Sequence, residues 1–313
     1  MRFNDSILDD TERIIFALRA LYSAYGYRRY KMSKFEEYDL YARHKDFLVS
    51  DAVITFTDTN GKLMALKPDV TLSIVKNNQV APGETRKLFY NENVYRVSKG
   101  TNSFKEIMQT GLECIGAVDT ACISEALLLA AESLRTVSSS YALVISDLDL
   151  LSAYLSGLTE DQKVMDQILK CVQEKNLHGL TALLTACGAP DERADALKKL
   201  LQIYGSPKKV LPALAELCEG NETAEQALKS LTDAAAVFSG TPAEAFVQID
   251  FSSAADMNYY NGIVFRGFID GVPESVLSGG QYDVLMRKMG REAGAVGFAV
   301  YLDLLERITL PEE

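Results

Sequence analysis

The chain of 313 residues contains no tryptophan, only two histidines, and five cysteines that never fall in a C-x-x-C pair. A structural zinc site needs clustered ligands, and a disulfide framework needs an even set of cysteines. Cys114, Cys122, Cys171, Cys187 and Cys218 meet neither condition. His44 is remote from all of them, and His178, between Cys171 and Cys187, is not at a compact ligand spacing. No metal and no cofactor is expected, and scattered cysteines fit a reducing compartment. Long apolar runs are missing too: none approaches the ~18 residues of a membrane span. The opening MRFNDSILDDTERIIFALRAL mixes acids and bases, unlike a secretory leader. The expected location is the cytoplasm, with no membrane partner.

Positive charge is in short supply. Against 43 Asp and Glu stand 32 Lys and Arg, a net charge of -11. Nucleic-acid affinity rests on cations that neutralise phosphates, so this balance weighs against a nucleic-acid ligand without barring a local basic patch. Solubility is the plainer reading of the acidity. The 48% of hydrophobic residues suffices for a sizeable core and argues against disorder.

Hydrophobic periodicity predicts a helix over 8–26, where Ile14, Ile15, Leu18, Leu21, Tyr22 and Tyr25 recur at helical spacing before Gly26. Short strands follow near 50–57 and 62–66, joined by the hairpin signal Asp58-Thr59-Asn60-Gly61. Lys67-Pro68-Asp69 breaks the strand and opens a helix over 70–77, with Asp69 as N-cap. Strands at 87–96 and 106–116, a helix at 120–137 and a strand at 141–147 come next. Residues 149–240 are Ala- and Leu-rich with helical periodicity. Strands return at 245–251, 259–269 and 275–279, followed by a helix at 281–290 and a strand-to-helix unit at 294–308. Strands in runs and helices in runs predict an α+β fold with a largely antiparallel sheet. Residues 1–150 and 245–313 are expected to form one discontinuous domain, with 151–244 as a helical insertion domain.

Four stretches carry a resemblance: Leu66-Lys-Pro-Asp-Val-Thr71; Lys87 to Gly116; Asn258-Tyr-Tyr-Asn-Gly-Ile-Val-Phe265 with Ser278-Gly-Gly-Gln-Tyr-Asp283; and Ala295-Val-Gly-Phe-Ala-Val300. In order and approximate spacing they resemble the catalytic core of histidyl-tRNA synthetases, of the class II aminoacyl-tRNA synthetase fold. That resemblance implies an antiparallel sheet of about six or seven strands flanked by helices, and a homodimer. It implies a histidine site in which Asp69 and Thr71 hold the α-ammonium group, Gln109 and Glu113 face the amino acid with Glu113 near the imidazole, and Tyr259 and Tyr260 close over the ring. The chemistry is coherent, because an ammonium wants a carboxylate and an imidazole N–H wants a carboxylate or phenol. Gln109 and Glu113, four apart on a strand, emerge on one face. Outside the motif context, such residues are often merely solvated, or rim and core.

Departures from the synthetase pattern are concentrated where ATP would sit. Arg96, a candidate phosphate-binding residue at the motif-two arginine position, is the one cation identified, and Ser98 stands where an acid is usual. Ala255 and Asn258 replace an arginine and an acid of the histidine-specific motif. Leu304 replaces the motif-three arginine, Tyr301 its glycine, Gln281 a further arginine, and Ser33 the motif-one proline. Losing one preorganised cation typically costs ~3–4 kcal/mol of transition-state stabilisation, so losing several disables adenylation. The few residues after Leu304 suggest no anticodon-binding domain. A kept pocket without an adenylation apparatus resembles the regulatory-subunit family of ATP phosphoribosyltransferase. It implies a non-catalytic chain that activates a short catalytic subunit in a hetero-octamer and senses histidine as feedback effector. The alternative is a histidine-activating ligase supported by Arg96; a pure scaffold with a vestigial pocket is a third class.

Overall fold

A computed structural model describes residues 7–48, 52–98, 103–253, 257 and 259–305. Its first helix, α1 (Asp10–Ala24), starts at a capping box. Asp9 accepts from the Glu12 N–H while the Glu12 side chain reaches back to the Asp9 N–H. It ends just before Gly26, whose φ of 83° suits the missing Cβ. Ile14, Ile15, Leu18 and Tyr22 form the buried stripe, while Tyr25 lies beyond the last turn and is exposed. A two-residue strand β1 (Arg28–Arg29) follows.

Three short strands make a small antiparallel sheet: β2 (Phe35–Glu37), then, after α2 (Tyr38–Arg43), β3 (Thr55–Thr57) and β4 (Leu63–Leu66). The expected hairpin joins β3 to β4. Asp58 Oδ1 accepts from the N–H groups of Asn60 and Lys62, both at 2.8 Å, and Gly61 takes φ 80°. The strand expected from 50 begins only at Thr55; residues 49–51 lie outside the described residues.

The main sheet has eight strands in the order β1-β5-β6-β11-β10-β9-β7-β8. Its later members are β5 (Thr85–Val97), β6 (Phe104–Gly116), β7 (Tyr141–Asp147), β8 (Val247–Ile249), β9 (Asn261–Ile269), β10 (Leu277–Gln281) and β11 (Gly294–Tyr301). The six inner strands are antiparallel, whereas the short edge strands β1 and β8 pair in parallel, which extends the expected six or seven strands to eight. The β5–β6 hairpin is longer than its apolar run suggested, because the ladder continues through partly exposed residues as far as Val97 and Phe104. The loop expected to connect them has residues 99–102 outside the described residues.

Period-2 alternation gives the sheet two faces. One bears Leu112, Ile145, Phe265 and Phe298, covered by α1 and α4 (Thr120–Val137). Asp119 caps α4 through the Cys122 N–H, and Tyr22 of α1 meets Ser133 of α4 at 2.9 Å. Helices α5 (Leu148–Leu155), α6 (Gln162–Gln173), α7 (Leu177–Ala186), α8 (Asp191–Gln202), α9 (Pro207–Cys218) and α10 (Glu222–Ala236) run between β7 and β8. Their buried residues join the same apolar cluster, and Gly205, between α8 and α9, exchanges two backbone hydrogen bonds with Ile249 of the edge strand β8. The opposite face carries Leu88, Tyr90, Glu113 and Ala295, covered by α2, α3 (Thr71–Asn77) and α11 (Asp283–Lys288). The chain's last described helix is α12 (Leu302–Leu305).

Because the helical array and the sheet share one apolar cluster, they should unfold together. Leu231 of α10 is fully buried in that cluster. Leu231→Ala is expected to cost about 2–5 kcal/mol. In urea titrations, helical and tertiary probes should shift by the same midpoint change.

Candidate functional site

One cavity of about 430 Å³ opens on the second face of the sheet, and Asp69, Thr71, Arg96, Gln109, Glu113, Tyr259 and Tyr260 all line it. Gly297 lines the cavity, and Gly111 and Gly280 lie beside it on the adjacent strands; a Cβ at each would approach other atoms within 3 Å. At Gly297 that Cβ would collide with Glu113 Oε2 at 1.9 Å. The missing side chains there let Tyr90, Glu113 and Tyr260 pack down against the backbone.

Glu113, 2% exposed, is the most constrained acid in the site. Thr71 Oγ1 donates to its Oε1 at 2.7 Å, and the Tyr282 hydroxyl donates to its Oε2 at 2.5 Å. Burial pushes its pKa up to about 8; the two hydrogen bonds oppose the shift and the Asp69 charge adds to it. Asp69 turns one oxygen back to the Leu72 N–H at 2.8 Å, which caps α3 although the assigned boundary residue is Val70. Burial raises its pKa as well, against the Leu72 bond and the Arg96 charge. Arg96 Nε donates to the Pro68 carbonyl at 3.1 Å, which ties β5 to the Asp69 loop. Beneath that loop Lys67 is fully buried and pairs with Glu92 at 3.0 Å.

The wall of the cavity is aromatic. The Tyr259 and Tyr260 rings lie 4.5 Å apart, with Phe47 and Tyr282 packed against Tyr259 at 5.9 and 6.2 Å. Tyr282, Tyr90, Phe47, Ser278 and Tyr301 line the cavity and were not among the candidates. The β5 alternation could have found Tyr90, six residues from Arg96 and on its face.

One expectation is corrected. Arg96 is not the only cation at the site, since Arg266 of β9 also lines it. Strand periodicity carried the signal, because Arg266 alternates with Ile263 and Phe265 and shares the Val264 face. The positions that depart from the synthetase pattern make contacts of their own. Leu304 packs against the apolar cluster, Gln281 accepts from the Ile263 N–H at 2.8 Å, and the Tyr301 and Ser278 hydroxyls lie 2.6 Å apart. Ser33 accepts from the Phe35 N–H. Ala255 and Asn258 lie outside the described residues.

This arrangement offers carboxyl groups to a cationic or N–H-bearing ligand, flanked by flat rings. A family model for histidyl-tRNA synthetase matches residues 6–305. The chain belongs to the histidyl-tRNA synthetase family. Within it, the ATP phosphoribosyltransferase regulatory subunit of Alkaliphilus metalliredigens is 25% identical over 290 residues, covering 90% of this chain and 72% of that one. The protein of the same name from Clostridium acetobutylicum is 26% identical over 298 residues, covering 92% and 72%. Among solved structures, an ATP phosphoribosyltransferase regulatory subunit/histidyl-tRNA synthetase from Bacillus halodurans C superposes with a TM-score of 0.82 at 24% identity, covering 97% of this chain and 80% of its own. A chain of the ATP phosphoribosyl transferase (HisG:HisZ) complex from Thermotoga maritima gives 0.74 at 18% identity, covering 94% and 97%. These likenesses establish the class II synthetase-like α+β fold.

The Glu113 environment sets a pH dependence. Between the ordinary 4.5 and about 8, the folded, ligand-free chain holds a proton that the unfolded chain has released. Stability therefore falls as pH rises through that window, by up to ~1.4 kcal/mol per pH unit for one proton, and levels off above it. Asp147, buried and pushed up to about 7, acts in the same direction. Denaturation midpoints at pH 5, 6.5 and 8 should fall in that order, and Glu113→Gln should remove most of the slope above pH 7.

Proposed function

We propose that this chain is a non-catalytic regulatory subunit of ATP phosphoribosyltransferase, which activates a short catalytic subunit and senses histidine. The observation that carries the reading is an asymmetric pocket. It gathers Asp69, Thr71, Gln109, Glu113, Tyr259 and Tyr260, while Leu304, Gln281 and Tyr301 stand where the synthetase pattern has arginines or glycine. The names of the relatives support the partner, and the Thermotoga neighbour is itself a chain of a two-component complex.

On this reading histidine binds with its ammonium at Asp69 and Thr71 and its imidazole at Glu113, with Gln109 beside it and Tyr259 and Tyr260 over the ring. A buried carboxyl that is protonated when empty gains its charge partner when an imidazole arrives. Feedback then requires histidine to favour one state of the assembly over another, typically by ~1–3 kcal/mol. The assembly is a hetero-octamer built on homodimers of this chain, cytoplasmic, with no role for tRNA. Residues 151–244 are an insertion domain carried by a core of 1–150 and 245–313.

A second reading, a ligase that adenylates histidine, is favoured by Arg96 and Arg266 in the same cavity. Histidine-dependent ATP–pyrophosphate exchange by the purified chain would establish that reading and remove the first. The deciding experiment is co-expression with a short phosphoribosyltransferase chain. Activity should require this chain and fall on addition of histidine. Calorimetry should show histidine binding that Glu113→Ala weakens by about 10- to 100-fold, as expected for a lost charge-assisted hydrogen bond. Unchanged affinity would rule out the Glu113 assignment.

A further inference from the structure

Beyond the Glu113 end, the cavity extends across β11 and β10 to β9. Arg266 stands in register with Ser278, Ser278 with Ala299, and Ala299 with Gly111. All four therefore share the face on which Gln109 and Tyr301 also stand. Arg266, Ser278 and Tyr301 line the cavity together. The Ser278 and Tyr301 hydroxyls are 2.6 Å apart, so one donates to the other and the acceptor's own O–H remains available for a further oxygen.

Among the described residues no carboxylate lies within ion-pair distance of either guanidinium that lines the cavity, Arg96 or Arg266, whereas the buried Lys67 has Glu92. Arg96 donates through Nε to the Pro68 carbonyl beside Asp69, which leaves Arg266 as the cation of the opposite end. The cavity's own acids are engaged elsewhere, Asp69 at the Leu72 N–H and Glu113 at Thr71 and Tyr282. Tyr260, lying between the two ends, registers both. Burial drives its phenol up, Tyr301, Glu113 and Asp69 add to that, and Arg266 pulls it back. The cavity thus has both its acids, with Arg96 beside Asp69, toward one end and Arg266 toward the other. In an enclosed site, a guanidinium beside a free hydroxyl hydrogen suits carboxylate or phosphate oxygens.

We propose that Arg266, with the Ser278–Tyr301 hydroxyl pair, forms an oxyanion subsite of this cavity. Its ligand is either the carboxylate of an amino acid bound at the Glu113 end, which rests on the histidine reading above, or a phosphate group, which does not. Calorimetry of the full chain distinguishes these sources, with histidine, histidinol (the analogue with an alcohol in place of the carboxylate), inorganic phosphate and pyrophosphate as probes. For a carboxylate, histidine binds at least tenfold more tightly than histidinol, and Arg266→Met erases the difference by weakening histidine alone. For a phosphate, phosphate or pyrophosphate binds the wild-type chain, and Arg266→Met weakens it at least tenfold while leaving histidine unchanged. Ser278→Ala should weaken the same probe by a smaller factor, and it keeps the test intact if Arg266→Met fails to fold. Failure of histidine to bind would remove the amino-acid reading and leave the phosphate arm standing. The subsite is overturned if Arg266→Met and Ser278→Ala leave every affinity unchanged, or if no probe binds.

Discussion

The Glu113 carboxylate holds the candidate site together. It stands on β6, takes one hydrogen bond from Thr71 at the start of α3 and another from Tyr282 at the start of α11, and fits over Gly297 with no space for a Cβ. Three elements far apart in sequence converge on one buried acid. Burial alone would make that acid costly, and the two donors offset part of the cost. Remove the acid and two hydroxyls lose their partner, so the roof and floor of the cavity lose their common reference point.

Much of the fold was legible because the local signals agreed with one another. The bounds expected for α4 and β7 match the structure, since a capped amphipathic helix and a short apolar strand leave little ambiguity. Of the two parallel edge strands, β8 lies within the strand expected at 245–251, whereas β1 was not legible. At two residues it has no periodicity to read, and it forms where the free edge of β5 accepts it. For the site, motif order brought forward Asp69, Thr71, Gln109, Glu113, Tyr259 and Tyr260, and they share one cavity. Tyr282 and Arg266 were passed over for different reasons. Tyr282 was overshadowed by the substituted Gln281 beside it. Arg266 lies outside the synthetase motif, and comparing lost arginines does not disclose a gained one.

The positions where the sequence departs from the synthetase pattern are filled rather than left as gaps. Gln281 anchors the start of β9 through the Ile263 N–H, Leu304 extends the apolar cluster, and Tyr301 pairs with Ser278. Each of these side chains contributes packing or a hydrogen bond within the chain.

The glycines have a consequence for how the chain can drift over evolutionary time. A methyl group at Gly111, Gly297 or Gly280 would run into backbone oxygens or into Glu113. The seats of Tyr90, Glu113 and Tyr260 therefore depend on three residues with no chemistry of their own, and the side chains around them can change one at a time only while those three stay bare.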